Sequence, residues 1–245
     1  MAIIASYNIK GGVGKTAAAV NLAYLAAVEG ASTLIWDLDP QGAASFYFRV
    51  KPKVKGGGKK VLEGALENRI KATDYPNLDL LPADFSYRNM DLLLDSSKKP
   101  DRGLKRLLKP LSKEYHYIFL DCPPSISLLS ENVFRATDAL LVPLIPTTLS
   151  LRTLDQLIKF LQQQNISQLQ LLPFLSMIDR RKNLHKALQR SVPEQYPQLL
   201  PVTIPYASAI ERMGVERAPL PVYASKSAIT DAFQQLWRVL QNRLQ

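Results

Sequence analysis

Cysteine is almost missing from this chain: Cys122 is the only one in 245 residues. A single thiol can form neither an intrachain disulfide nor a thiolate metal cluster, and such sparing use suits a reducing cytoplasm. No apolar run approaches the ~20 residues of a membrane span. The sequence starts almost at once on an apolar, strand-like pattern, so no signal peptide is expected. Internal repeats are absent. Acidic residues are in short supply, 21 against 31 lysines and arginines, for a net charge of +10. Between Arg49 and Lys60 there are six basic residues and no acid. An excess of this kind points to an acidic partner, either nucleic acid or anionic lipid.

What remains is ordinary globular composition, 47% hydrophobic and 21% charged. The length suits a single α/β domain over residues 1–245. Apolar, β-rich runs are predicted as strands at Ile3–Tyr7, Ser32–Trp36, Leu78–Leu81, Tyr117–Leu120, Ala139–Leu144, Leu169–Met177 and Pro201–Ile204. They are hydrophobic almost without interruption, as parallel strands covered on both faces must be. Helical patterns separate them, at Ala17–Glu29, Val61–Asn68, Leu104–Leu111, Ser130–Ala136, Leu151–Gln164, Lys182–Arg190 and Ser227–Arg243. The alternation predicts a doubly wound, mostly parallel sheet flanked by helices, with its site at the carboxyl ends of the strands. The glycines, prolines and like charges of the segment at about 49–60 predict a mobile basic loop.

The most informative stretch is Lys10-Gly11-Gly12-Val13-Gly14-Lys15-Thr16, set between the first strand and a strong helix former starting at Ala17. Strand, glycine loop, Gly-Lys-Thr and helix form the arrangement that cradles nucleotide phosphates. Gly11, Gly12 and Gly14 let the backbone N–H groups turn inward. Lys15 neutralises phosphate, the helix N-terminus adds its partial charge, and the Thr16 hydroxyl is a ligand for Mg²⁺. Two acidic segments follow later strands: Asp37-Leu38-Asp39-Pro40-Gln41-Gly42 and Asp121-Cys122-Pro123-Pro124. Parallel-sheet geometry delivers both to the same edge as the glycine loop. There one aspartate can hold a metal's hydration shell and another can orient attacking water. Both segments are turn-rich and suited to changing shape on loss of a γ-phosphate.

Together these motifs resemble the deviant Walker A ATPases, and specifically the ParA branch of the ParA/MinD family. The resemblance extends through Leu78–Ala83, Val142–Leu144 and Asp179–Asn183 and loosens over the last third. It implies ATP and Mg²⁺ as cofactors and weak basal ATPase activity. It also implies a homodimer with ATP sandwiched between subunits, Lys10 reaching across to the partner's nucleotide. Lys15 serves its own phosphates, and Asp39 positions the hydrolytic water. Asp37 and Asp121 support metal and switch loops, so that the metal set is Thr16, Asp39 and Asp121. Gln41 reports γ-phosphate loss. Val13 and Ala17 complete the phosphate side, and Pro205 marks the stretch near which this family holds adenine. The resemblance further implies nonspecific DNA binding by the ATP dimer, a nucleoid-associated location, and a ParB-like or other adaptor that stimulates hydrolysis to partition or position a plasmid, chromosome or protein organelle. Lys186 and Arg190, four apart on one helix face, with Arg217 and Lys226, are the DNA-contact candidates. Only nine residues precede Lys10, so no operator-reading helix-turn-helix is expected ahead of it.

Two rivals share these motifs. A MinD-like membrane-cycling ATPase would use the apolar face Ile229, Ala232, Phe233, Leu236, Trp237, Leu240 and Leu244 on anionic lipid. Packing against the sheet is the simpler reading of that face, and no membrane partner is expected. An ATP-dependent metabolic synthetase is the other, although no dedicated substrate site is visible. An iron–sulfur partner protein is disfavoured by the lone cysteine. The chain departs from the family in carrying Thr16-Ala17 where Thr-Thr is usual, and Thr203-Ile204-Pro205-Tyr206-Ala207 in place of the usual Ile-Pro-Arg-Asn.

Overall fold

The computed structural model describes residues 1–96 and 100–244. Its frame is an eight-stranded sheet in the order β3-β4-β2-β5-β1-β6-β7-β8. The strands are β1 (Ala2–Ser6), β2 (Thr33–Asp37), β3 (Lys71–Ala72), β4 (Leu78–Leu81), β5 (Tyr117–Asp121), β6 (Ala139–Leu144), β7 (Gln170–Ile178) and β8 (Thr203–Pro205). Only the short edge strand β3 runs antiparallel. The register sets Ser6 and Asp37 each beside Asp121. Three chain segments with chemistry therefore leave the sheet side by side.

Helices cover both faces. One face carries α1 (Lys15–Val28), α2 (Ala43–Tyr47), α9 (Ser208–Glu216), α10 (Leu220–Tyr223) and α11 (Ala228–Leu244). The other carries α3 (Gly57–Glu63), α4 (Met90–Asp95), α5 (Gly103–Leu108), α6 (Leu128–Ala136), α7 (Thr148–Gln163) and α8 (Asn183–Gln195). Alanine at positions 17, 18, 19, 23, 26 and 27 gives α1 a small cross-section, so it lies buried between sheet and α11. The one polar side chain in its middle, Asn21, is satisfied on both sides: its Nδ2 donates to Ala17 O (2.8 Å) and its Oδ1 accepts from Leu220 N (2.7 Å). The apolar face of α11 is spent in this core, with Phe233, Leu236, Trp237 and Leu240 all buried. Trp237 Nε1 also donates to Glu29 at the end of α1 (2.9 Å). Among the described residues no helix is long and apolar enough to cross a membrane.

Seven strands match the sequence pattern to within two residues. Differences cluster where chain breakers act. The expected helix over 61–68 ends at Gly64, whose φ of 112° side chains rarely adopt, and resumes as a 3₁₀ turn at Leu66–Asn68. The one over 104–111 stops at Leu108 ahead of Pro110. By contrast, α8 runs on to Gln195 with Pro193 inside it. Part of the expected basic loop is structured: α3 begins at Gly57, and Val54 and Val61 are buried. Asp84 fixes its approach by accepting from Val54 N (2.8 Å). The short elements α2, β3, α4, α9 and α10 have no periodic signature long enough to read.

Because Leu236 is completely buried between α11 and α1, Leu236→Ala should cost about 2–5 kcal/mol. Urea denaturation measures this, and an unshifted midpoint would show that α11 does not pack as described.

Candidate functional site: a phosphate loop over buried carboxylates

The loop between β1 and α1 is built by its glycines. Gly12 (φ 70°) and Gly14 (φ 98°) are left-handed, and a Cβ on Gly14 would press within 3.1 Å of Ser176 Oγ. Asn8, unremarked in the sequence, pins the loop's start: its Nδ2 donates to Pro143 O (2.8 Å) and its Oδ1 accepts from Lys10 N (2.9 Å). At the far end Ser6 Oγ donates to Lys15 O (2.8 Å).

The two loop lysines are treated differently. Lys15 folds inward and is buried, its Nζ donating to Lys10 O (3.0 Å). Burial pushes its pKa down, partly offset by the carboxylates Asp121 and Asp39 around it. An ammonium so placed has one protein acceptor for its three donors, leaving capacity for phosphate oxygens. Lys10 contributes its backbone to the loop while its side chain stays half-exposed, with no carboxylate within 4 Å among the described residues.

Beneath the loop lie Asp37 and Asp121, both completely buried on adjacent strands. Asp37 Oδ2 accepts from Ser45 N and Ser45 Oγ, both at 2.7 Å, while its Oδ1 has no partner. Ser45 Oγ in turn accepts from Ala83 N (2.9 Å), tying α2 to the end of β4. Neither Asp121 oxygen has a hydrogen-bond partner. The Thr16 hydroxyl is near enough to favour its charge without forming a hydrogen bond of normal geometry. Burial raises both carboxyls, Asp37 to about 6 and Asp121 well above the ordinary range, and for Asp121 the charge of Asp37 adds to the effect. Three carboxylate oxygens without partners, close to a threonine hydroxyl and a lysine, are the donor chemistry of a hard cation with its water shell. Mg²⁺ fits such a set. No group of three or more His, Cys, Asp or Glu side chains that could hold a metal is present among the described residues, so phosphate and water oxygens would complete the shell.

Asp39 is half-exposed at the turn into α2, where its Oδ1 accepts from Gln41 N (2.9 Å). Gly42 follows at φ 69°, where a Cβ would stand 2.9 Å from Pro52 Cβ. A cavity of about 310 Å³ opens over the loop. Of the expected site residues Gly11, Gly12, Gly14, Lys15, Thr16, Ala17 and Asp39 line it. Lys10, Asp37, Gln41, Asp121 and Pro205 do not, although Ile204 and Tyr206 on either side of Pro205 do. The Val13 side chain is packed inside, 1% exposed, which leaves its backbone to the loop. The sequence also missed the far wall, where Phe174, Met177, Ala207, Ile210 and Phe233 give the cavity an apolar end. Met177 holds a left-handed φ of 56° at an irregularity in the β7–β8 pairing, a strained backbone that turns β7 into the site. The DNA-contact candidates lie elsewhere. Lys186, Arg190 and Lys226 are exposed, whereas Arg217 is engaged, its Nε donating to Phe46 O (3.1 Å) and its guanidinium lying 4.5 Å over the Phe46 ring.

Two predictions follow from this geometry. Lys15→Ala should abolish nucleotide binding in a fluorescence titration, and retained affinity would refute the site. The raised carboxyls hold more protons folded than unfolded, so the nucleotide-free protein loses stability as pH climbs from about 4 through about 6. Asp121→Asn should flatten that fall and raise the thermal midpoint at pH 7 by about 2 °C or more. A midpoint lowered at pH 7, or an unaltered pH profile, would contradict the assignment.

Comparison with known proteins agrees with the geometry. A family model described as an AAA domain matches residues 1–171. Sporulation initiation inhibitor protein Soj of Bacillus subtilis is 35% identical over 189 residues, 74% of this chain and 75% of Soj. Chromosome partitioning protein ParA of Myxococcus xanthus is 31% identical over 251 residues, 98% of this chain and 88% of that protein. Cobyrinic acid a,c-diamide synthase from Mycobacterium smegmatis, solved with an ATP analogue and magnesium, superposes with a TM-score of 0.82 at 26% identity, covering 100% of this chain and 96% of its own. The strand–glycine loop–helix cradle, the acidic strand ends and these relatives place the chain in the ParA/MinD family of P-loop proteins, on its ParA/Soj side.

Proposed function

We propose that this protein is a partition ATPase that binds ATP with Mg²⁺, pairs with a second copy, holds DNA without reading its sequence, and lets go on hydrolysis. The observation that carries this reading is the division of labour between the loop lysines. Lys15 is folded in, ready for the phosphates of its own nucleotide. Lys10 is left half-exposed at the rim, where a partner's nucleotide could meet it.

Each residue has a task that follows from its position. Backbone N–H groups of the loop and Lys15 bind and neutralise phosphate. Thr16 and the Asp121 carboxylate hold the cation's shell, with Asp37 anchored behind them by Ser45. Mg²⁺ when bound supplies charge neutralisation between the phosphates. Asp39, the carboxylate on the loop side of the cavity wall, orients the attacking water. The turn Asp39–Gly42 links this wall to α2, so Gln41 and Gly42 stand where loss of a γ-phosphate would be felt first.

DNA contact falls to basic side chains outside the pocket, Lys186, Arg190 and Lys226, with Arg217 contributing when it leaves Phe46. Lysine and arginine on phosphate read no bases and lose grip with salt. Two copies in an ATP dimer turn weak patches into one useful site, and ADP monomers release. An adaptor of the ParB kind that stimulates hydrolysis would clear the protein from nearby DNA and draw cargo along the nucleoid. A cytoplasmic location goes with this cycle. The fold is shared with an amide synthase, but the partition proteins are the nearer sequences, at 35% and 31% against 26%.

Asp39→Ala should bind ATP yet release almost no phosphate in a colorimetric assay. Turnover equal to the parent protein would remove Asp39 from the reaction. Mobility shifts across a salt series should show DNA retained with ATP and lost with ADP. Lys186→Ala and Arg190→Ala should each weaken binding to every sequence alike and flatten the salt slope. Equal retention in ATP, ADP and no nucleotide would overturn the cycle.

A further inference from the structure

The second large concavity lies at the opposite edge of the sheet, where β1, β6 and β7 begin, and encloses about 730 Å³. Strand length separates it from the phosphate loop by about 16 Å, so it is no lobe of the nucleotide cavity. Its lining is strongly basic: among the described residues Arg102, Lys105, Lys109 and Arg135 stand against one acid, Asp138. Lys105 and Lys109 stand four apart and exposed along and just past α5, while Arg135 enters from the end of α6 on the other side. None of Lys105, Lys109 and Arg135 has a carboxylate within 4 Å among the described residues. Asp138 is already spent on the fold, its Oδ2 accepting from Ile3 N (2.7 Å).

Arg135 is the pointed observation. Its guanidinium lines the groove and, among the described residues, makes one long contact, to Gln164 O at 3.4 Å. A guanidinium with five donors and so few protein acceptors keeps capacity for an anion. The floor beside it is apolar, with Phe134 and Leu169. Cations on two walls over an apolar floor, to which Met1 and Ile166 also contribute, suit an anion that carries an organic body. The concave shape and volume are those of a small-molecule site, not of a surface for a rigid duplex.

We propose that this groove is a second ligand site, for a small organic phosphate held by Arg135, Lys105 and Lys109. Phosphate oxygens accept from the guanidinium N–H groups with which Arg135 lines the groove, and the lysines neutralise charge from the facing wall. The site serves binding alone and requires no chemistry. It stands whether or not the nucleotide cycle above is correct.

Inorganic tripolyphosphate is a suitable probe, titrated calorimetrically into the full chain carrying Lys15→Ala to silence the phosphate loop. One equivalent should still bind. Adding Lys105→Ala with Lys109→Ala should weaken it about tenfold or more, as should Arg135→Ala. The lysine pair is exposed, so the fold is undisturbed, and thermal melting checks the arginine variant. In the Lys15-intact background the same lysine pair should leave ADP affinity unchanged. Loss of all tripolyphosphate binding in Lys15→Ala alone, or equal affinity with and without the groove lysines, overturns the site. If a short DNA duplex displaces the probe stoichiometrically and itself depends on Lys105 and Lys109, the groove serves nucleic acid and the small-ligand assignment is wrong.

Discussion

Two aspartates that cannot both be charged in comfort sit where three parallel strands end, and the rest of this structure is arranged around them. The register of β1, β2 and β5 sets Ser6, Asp37 and Asp121 abreast, and burial then removes the water that would stabilise the carboxylates. Asp37 recovers half its hydrogen bonds from Ser45, whereas Asp121 recovers none. Buried charge without a partner is expensive, so the arrangement makes sense only if something positive arrives. Lys15 is nearby but itself desolvated and turned toward a carbonyl. A divalent cation brought in with phosphates relieves all three groups at once. In a site strained in this way before its ligand arrives, part of the cost of ordering it has already been met in folding.

The same constraint explains how the site can sense what it holds. Asp37 reaches α2 through Ser45, and Ser45 reaches the end of β4 through Ala83. Asp39 and Gly42 lie between the cavity and α2, and α2 presents Phe46 to Arg217 at the end of α9. Asp37, α2 and a basic surface residue are thus joined by hydrogen bonds of 3.1 Å or less, through Ser45 and Phe46. A change at the γ-phosphate position has a short physical route to the outside of the molecule.

Much of this was legible in the sequence because it is local. Gly12, Gly14, Lys15 and Thr16 are fixed by a run of seven residues, and Asp37 and Asp121 by standing at the ends of apolar runs whose parallel pairing follows from their composition. What escaped is what depends on contacts distant along the chain. Asn8 matters because of Pro143, and Ser45 because of Asp37 and Ala83. The apolar end of the cavity comes from β7, β8, α9 and α11, and Met177 reaches it only through a break in strand pairing. Short helices such as α2 and α10, held by tertiary contacts and not by periodicity, left no trace to read. Val13, inside a phosphate motif, turned out to be core, since a loop must also be anchored from below.

The proposed cycle requires that occupation of this pocket by ATP, and not by ADP, change what the protein is bound to, beginning with itself. Sedimentation velocity of the unaltered chain with Mg²⁺ tests this most directly, in ATP, in ADP and without nucleotide. The proposed cycle gives a dimer in ATP and a monomer in the other two states. A monomer throughout, or a dimer of equal strength in all three, would contradict it.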